Sequence, residues 1–134
     1  MPIRYKIIES KKLVYAVGSG LLTLPDLLGH LDDLAADPQY KAPMNKIVDY
    51  RKATIKKLTM NEADIFTYKK ARLKKLFLGE KCAIVTNTDV DFGMSRVHGT
   101  KIEKADIDTM TFRDINKALD WLDVQIDDNE LSIE

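Results

Sequence analysis

The sequence predicts an α/β domain: a mixed, mostly parallel five-stranded sheet with about four helices, in the order ββαβαβαβα. Three observations carry that prediction. Short β-branched runs alternate with stretches of helical period, a polar turn alone separates the first two strands, and threonine caps open two of the helices. At 134 residues with no stretch of linker composition, one domain is expected over residues 1–124, followed by an acidic tail over 125–134 that should fray.

The elements follow in order. Ile3, Tyr5 and Ile7 alternate with Arg4 and Lys6, the period-two pattern of a half-exposed edge strand. After the polar turn Glu9-Ser10-Lys11-Lys12, Leu13-Val14-Tyr15-Ala16-Val17 is apolar on both faces, so a buried strand paired with the first as a hairpin is expected. It should end at Gly18-Ser19-Gly20, the turn into a helix capped by Thr23 with Pro25 in its first turn. Leu24, Leu27, Leu28, Leu31 and Leu34 then recur at helical spacing until Asp37-Pro38. Lys46-Ile47-Val48-Asp49-Tyr50 reads as a short strand, and Thr59-Met60-Asn61-Glu62 as a capping box opening a second helix that runs to about Lys74. Cys82-Ala83-Ile84-Val85-Thr86 is the most continuously apolar strand. A short helix near Val90 to His98, a strand near Thr109 to Phe112, and a last helix burying Ile115, Ala118, Leu119 and Leu122 complete the pattern.

Charge balances at 21 basic against 21 acidic residues, which gives the whole domain no long-range pull on nucleic acid or anionic lipid. The distribution is uneven: Lys41 to Lys81 holds twelve Lys or Arg against four Asp or Glu, and Glu103 to Glu134 three against ten. The densest cation run is Lys69, Lys70, Arg72, Lys74 and Lys75 at the end of the second helix. Position explains part of it, since cations offset the dipole at a helix C-terminus, and an anionic partner is the functional alternative. Without interleaved aromatics, nucleic acid is the least favoured such partner.

Motifs of catalysis are weak throughout. Gly18-Ser19-Gly20 lacks the third glycine of a dinucleotide loop, because position 23 is Thr23, and a strand-to-helix turn is the simpler reading. Asp89 and Asp91 fit helix capping better than a metal site, His30 and His98 have no ligand partner at metal spacing, and the single Cys82 lies in a strand that should bury it. No serine occupies a nucleophile elbow. Neither a metal nor another cofactor is expected, and the reading is of a non-enzymatic protein. In parallel sheets ligands bind beyond the carboxyl ends of the strands, which makes Ser19, Asp49, Arg51, Asn87 and Arg113 the candidate pocket rim. Trp121 flanks the stripe of the last helix, as a core-edge residue or an interface anchor. One cysteine, no apolar stretch of membrane length and an opening Met-Pro-Ile-Arg without a signal core together suggest the cytoplasm.

Five stretches carry a family resemblance over roughly residues 3 to 123. They are Val17-Gly18-Ser19-Gly20-Leu21-Leu22-Thr23, Lys46 to Tyr50, Cys82 to Thr86, Phe92-Gly93-Met94-Ser95-Arg96-Val97, and Phe112-Arg113-Asp114 through Ala118-Leu119-Asp120-Trp121-Leu122. With the order of elements, they resemble the SpoIIAA-like family, a branch of the STAS-like fold. The resemblance implies small bacterial cytosolic proteins whose better-known relatives are protein-interaction switches controlled by serine phosphorylation. Here the Asp-Ser-Ser-Gly-like turn of those relatives is replaced by Lys57-Leu58-Thr59-Met60, with Leu58 near the phosphoserine position and Thr59 read as a helix cap. The expected function is therefore a protein-interaction or regulatory module without that switch, partnered by another protein or by a second copy in a homodimer. The fold also resembles lipid-carrier domains with an apolar cavity between helices and sheet, so the alternative is a carrier or sensor of a small apolar ligand.

Overall fold

The computed structural model of the chain describes residues 2–102 and 107–133. Five strands, β1 (Ile3–Ile8), β2 (Leu13–Leu21), β3 (Asn45–Thr54), β4 (Lys81–Val85) and β5 (Asp108–Phe112), lie side by side in sequence order. β1 pairs antiparallel with β2 through a tight turn whose last residue, Lys12, is left-handed, and every later pairing is parallel. Among the described residues five α-helices accompany them: α1 (Leu24–Ala36), α2 (Met60–Arg72), the single turn α3 (Lys74–Phe77) and α4 (Asp89–Ile102) in the connections, and α5 (Ile115–Leu122) after the last strand. The predicted architecture holds, with α3 added. α4 runs longer than the pattern suggested, and both early strands extend further.

One expectation is overturned locally. Gly18, Ser19 and Gly20 do not form the turn into α1; they continue β2 past a register shift between Val17 and Ser19. A Cβ at Gly18 would sit 2.9 Å from Cδ1 of Tyr50, so the glycine is there for the close approach of the β3 ring, not for an anion.

Both long helices begin as the sequence predicts. Thr23 and Asp26 close a capping box on α1, and Thr59 accepts from the Glu62 N–H at 3.1 Å while the Glu62 carboxylate accepts from the Thr59 N–H at 3.1 Å. Thr88 caps α4 by accepting from the Asp91 N–H at 3.1 Å, and the Asp91 carboxylate adds a tether. One Asp91 oxygen accepts from Thr88 Oγ1 at 2.9 Å, and the other from the Ile55 N–H at 2.9 Å and from Thr54 Oγ1 at 3.0 Å. Asp91 is thus a cap and a clamp between β3 and α4.

Alternation along the strands divides the core. Ala16, Val48, Tyr50, Cys82 and Ile84 point to the side covered by α1, α2 and α4, while Leu13, Tyr15, Ile47, Ala83 and Val85 point to the side covered by α5. The C-terminal tail does not fray over its described residues. Val124, Ile126, Leu131 and Ile133 pack on the cluster of Ala118, Leu119 and Leu122, because apolar residues flank the polar run Asp127 to Glu130 on both sides. Trp121 joins the edge of this core, with its ring 5.8 Å from that of Phe112 and Lys81 Nζ 4.5 Å above it.

Candidate functional site

Lys70 was expected on the surface. It is buried, with its Nζ 3.1 Å from Oε1 of Glu80 and side-chain exposures of 3% and 1% for the pair. The reason lies in the helical period: Lys70 follows Ala63 by seven positions and Phe66 by four, so it shares their inward face. The cation cluster is therefore divided. Lys69 pairs with Asp32 of α1 at 2.7 Å, Arg72 is exposed over the Tyr68 ring, Lys75 is exposed, and the side chain of Lys74 lies outside what the structure describes.

Between α1, α2, α4 and the sheet lies a cavity of about 60 Å³. Its walls are apolar: Leu27, Val48, Tyr50, Ile55, Phe66, Ile84 and Met94. Half-buried Leu58, Ala63 and His98 line it where α2 approaches α4. Its remaining lining is polar and deeply buried: His30 of α1, Lys46 of β3, Lys70 of α2, Cys82 of β4 and Ser95 of α4. His30 also borders a second recess of about 130 Å³, lined by residues that include Pro25, Gly29 and Asp33.

The electrostatics follow from burial. Burial, then the charges of Lys46 and Lys70, push His30 well below the usual histidine value, so its imidazole is neutral at physiological pH. Burial and Lys70 lower Lys46, whose ammonium makes no ion pair among the described residues and stands 5.5 Å from the Phe77 ring. For Lys70 burial acts the same way, but the charge and hydrogen bond of the Glu80 carboxylate outweigh it and hold the ammonium above its ordinary value. Burial pushes the Cys82 thiol up, which keeps it protonated and unreactive. Among the described residues, both ring nitrogens of His30, the Ser95 hydroxyl and Oε2 of Glu80 are buried with no hydrogen-bond partner. Natural structures rarely leave such groups unpaired, since each costs about 1–3 kcal/mol.

The rim residues have a different arrangement. Arg51 donates from Nε and an NH2 nitrogen to both Asp49 oxygens at 3.0 and 2.8 Å, and Tyr15 donates to Asp49 at 3.2 Å. Burial would raise Asp49, but the Arg51 hydrogen bonds outweigh it and hold the carboxyl below its usual value; the same carboxylate and burial push Tyr15 up to about 12. Arg113 donates to Asp89 at 2.6 Å and to the Asn87 carbonyl at 3.1 Å. Ser19 is exposed on β2 and is held through its backbone N–H by Pro2. These groups satisfy one another, and none of the five lines the cavity. Sequence reasoning named the strand-end rim and, by resemblance, a cavity between helices and sheet, but it assigned none of Lys46, His30, Glu80 or Ser95 to that cavity. A signal did exist for Lys46, which alternates in register with Val48 and Tyr50 and so shares their face.

Fold and cavity together define an α/β domain with an internal, mixed apolar and cationic pocket. No family model and no curated protein matches the sequence. Among solved structures, the chain is similar to an uncharacterized protein of the DUF3478 family with a SpoIIAA-like fold from Shewanella loihica PV-4. The two share 22% identity at a TM-score of 0.60, over 90% of this chain and 93% of that one. The chain has a SpoIIAA-like, STAS-like fold. Among the described residues, no helix is long and apolar enough to cross a membrane, and no three His, Cys, Asp or Glu side chains gather as a metal site.

Proposed function

We propose that this protein acts by binding, as a carrier or sensor that holds a small, mainly apolar ligand between α1, α2, α4 and the sheet. The observation that carries the reading is the cavity itself, apolar over most of its wall and edged by buried polar groups without partners. A non-catalytic role is supported by the state of its titratable groups. Lys70 is tied to Glu80, and the Cys82 thiol is buried and protonated.

Native mass spectrometry of freshly purified protein tests it, together with thermal shifts across a panel of apolar acids, alcohols and lipids. A ligand at a hundredfold excess over Kd stabilises by about 2.7 kcal/mol, a rise in Tm of roughly 10 °C. A bare mass with no shift for any member of the panel would sink the reading.

A protein-interaction module is the second reading, and one observation favours it. Ile65 and Tyr68 stand 42% and 65% exposed, three positions apart on α2, with Arg72 over the Tyr68 ring. A second copy of the chain is the partner we assign to that face. Sedimentation equilibrium should then give a dimer that Tyr68→Glu weakens at least about tenfold, a loss of 1.4 kcal/mol or more; a monomer at every concentration rules it out.

A further inference from the structure

The polar end of the cavity carries an unbalanced charge. Two lysines, Lys46 and Lys70, face it, and one carboxylate, Glu80, answers them. Glu80 is committed to Lys70 at 3.1 Å, which leaves Lys46, among the described residues, with the face of Phe77, 5.5 Å away, and no ion pair. An ammonium taken out of water without an anion is costly, and neither the neutral His30 nor the protonated Cys82 can neutralise it. Two further groups line the same cavity and have nothing to bond among the described residues: the His30 ring, whose neutral form keeps one N–H donor, and the Ser95 hydroxyl. Each can donate to an oxygen anion.

We propose that the pocket selects a short-chain monocarboxylate, with its head group taken by Lys46, His30 and Ser95 and its chain by Val48, Phe66 and Met94. The charge sets the class, since one excess lysine matches one negative charge, whereas a dianionic phosphate would bring in a second, unanswered charge. The volume sets the length. At about 60 Å³ the space suits a short chain and not a long acyl tail. This inference rests on the ligand-binding reading above.

Calorimetric titration of the full chain with hexanoate, hexanamide and hexanol tests it. Hexanoate should bind about tenfold to a hundredfold more tightly than either neutral analogue, the advantage of a charge-assisted hydrogen bond in a dry site. Lys46→Met should abolish that preference and leave hexanol affinity as it was. Ser95→Ala, which only shortens a side chain, should weaken hexanoate about threefold to tenfold without touching hexanol, and so serves if the lysine variant does not fold. Equal affinity for acid and alcohol in the wild-type chain overturns the carboxylate assignment while leaving the apolar pocket intact. So does binding of a longer apolar ligand when all three probes fail. No binding of any ligand, in the titration or in the thermal panel, overturns both.

Discussion

On the α5 side of the sheet, Leu13, Tyr15, Ile47, Ala83 and Val85 meet Ala118, Leu119 and Leu122, and the tail residues Ile126 and Leu131 extend the cover. On the opposite side, three helices enclose the cavity, and its wall includes Lys46, Lys70 and His30. The polar groups differ in the same sense. Asp49, Arg51 and Tyr15 stand toward the α5 side at the strand ends and pair with one another, while on the helical side the Ser95 hydroxyl and both His30 nitrogens have no partner. More secondary structure thus covers the looser and more polar of the two faces. A protein with stability alone to maintain would fill that space with apolar side chains, since replacing a buried ion pair by hydrocarbon is commonly neutral or stabilising. The difference supports the proposed ligand pocket on the three-helix face and leaves the α5 face as packed core.

The sharpest way to break that comparison is at the buried pair. Glu80→Leu leaves Lys70 without its anion and is expected to cost about 3–5 kcal/mol in urea unfolding. The double variant Lys70→Met with Glu80→Leu should recover most of that loss. If the single variant were as stable as the parent, Lys70 would have to reach water, and the division of the cation cluster would be wrong.

Volume added to each face separates them next. Ala118 is fully buried against the sheet, so Ala118→Leu should destabilise by about 1–3 kcal/mol through overpacking. Ala63 lines the cavity, and Ala63→Leu should stabilise by about 0.5–1 kcal/mol while weakening ligand affinity. Equal penalties at the two alanines would erase the distinction between a packed and an unfilled face.

Each face also has its own pH window. His30, facing Lys46, Lys70 and the ring of Tyr5, has a folded pKa well below 6.5, so the unfolded chain takes up a proton that the folded chain refuses. Stability should fall as pH drops below 6.5 towards that folded value, and His30→Phe should flatten this part of the curve. Asp49, by contrast, is held below 3.8 in the folded state. Its contribution is fully present above 3.8 and is lost as pH falls from there through the folded pKa, and Asp49→Asn should remove it. Urea midpoints from about pH 3 to about pH 8 would resolve the two steps, and a curve unchanged by both substitutions would contradict the assignment. The smallest effect belongs to the caps. Thr59→Ala on α2 and Asp114→Ala on α5 should each cost about 1 kcal/mol, with no preference for either face.

The architecture was legible because it rests on short-range patterns. Thr23 and Thr59 cap through residues three positions ahead, and Ile115, Ala118, Leu119 and Leu122 bury one stripe at the helical period. The candidate site was not legible in the same way. Lys70 sits in a run of cations that reads as a solvated helix end, and only its spacing from Ala63 and Phe66 indicates otherwise. Gly18-Ser19-Gly20 reads as a turn, yet the ring that demands the first glycine belongs to Tyr50, thirty-two positions away.

By itself, then, the sequence determined the succession of strands and helices, the caps that start them and the faces they bury, since all of these depend on residues a few positions apart. Tertiary structure alone decided that His30, Lys46, Lys70 and Ser95 meet around one cavity, that Asp91 clamps β3 to α4, and that the acidic tail packs against α5. These groups come from separate elements, and what they do depends on desolvation and charge at close range. Neither exists until the helices have closed on the sheet.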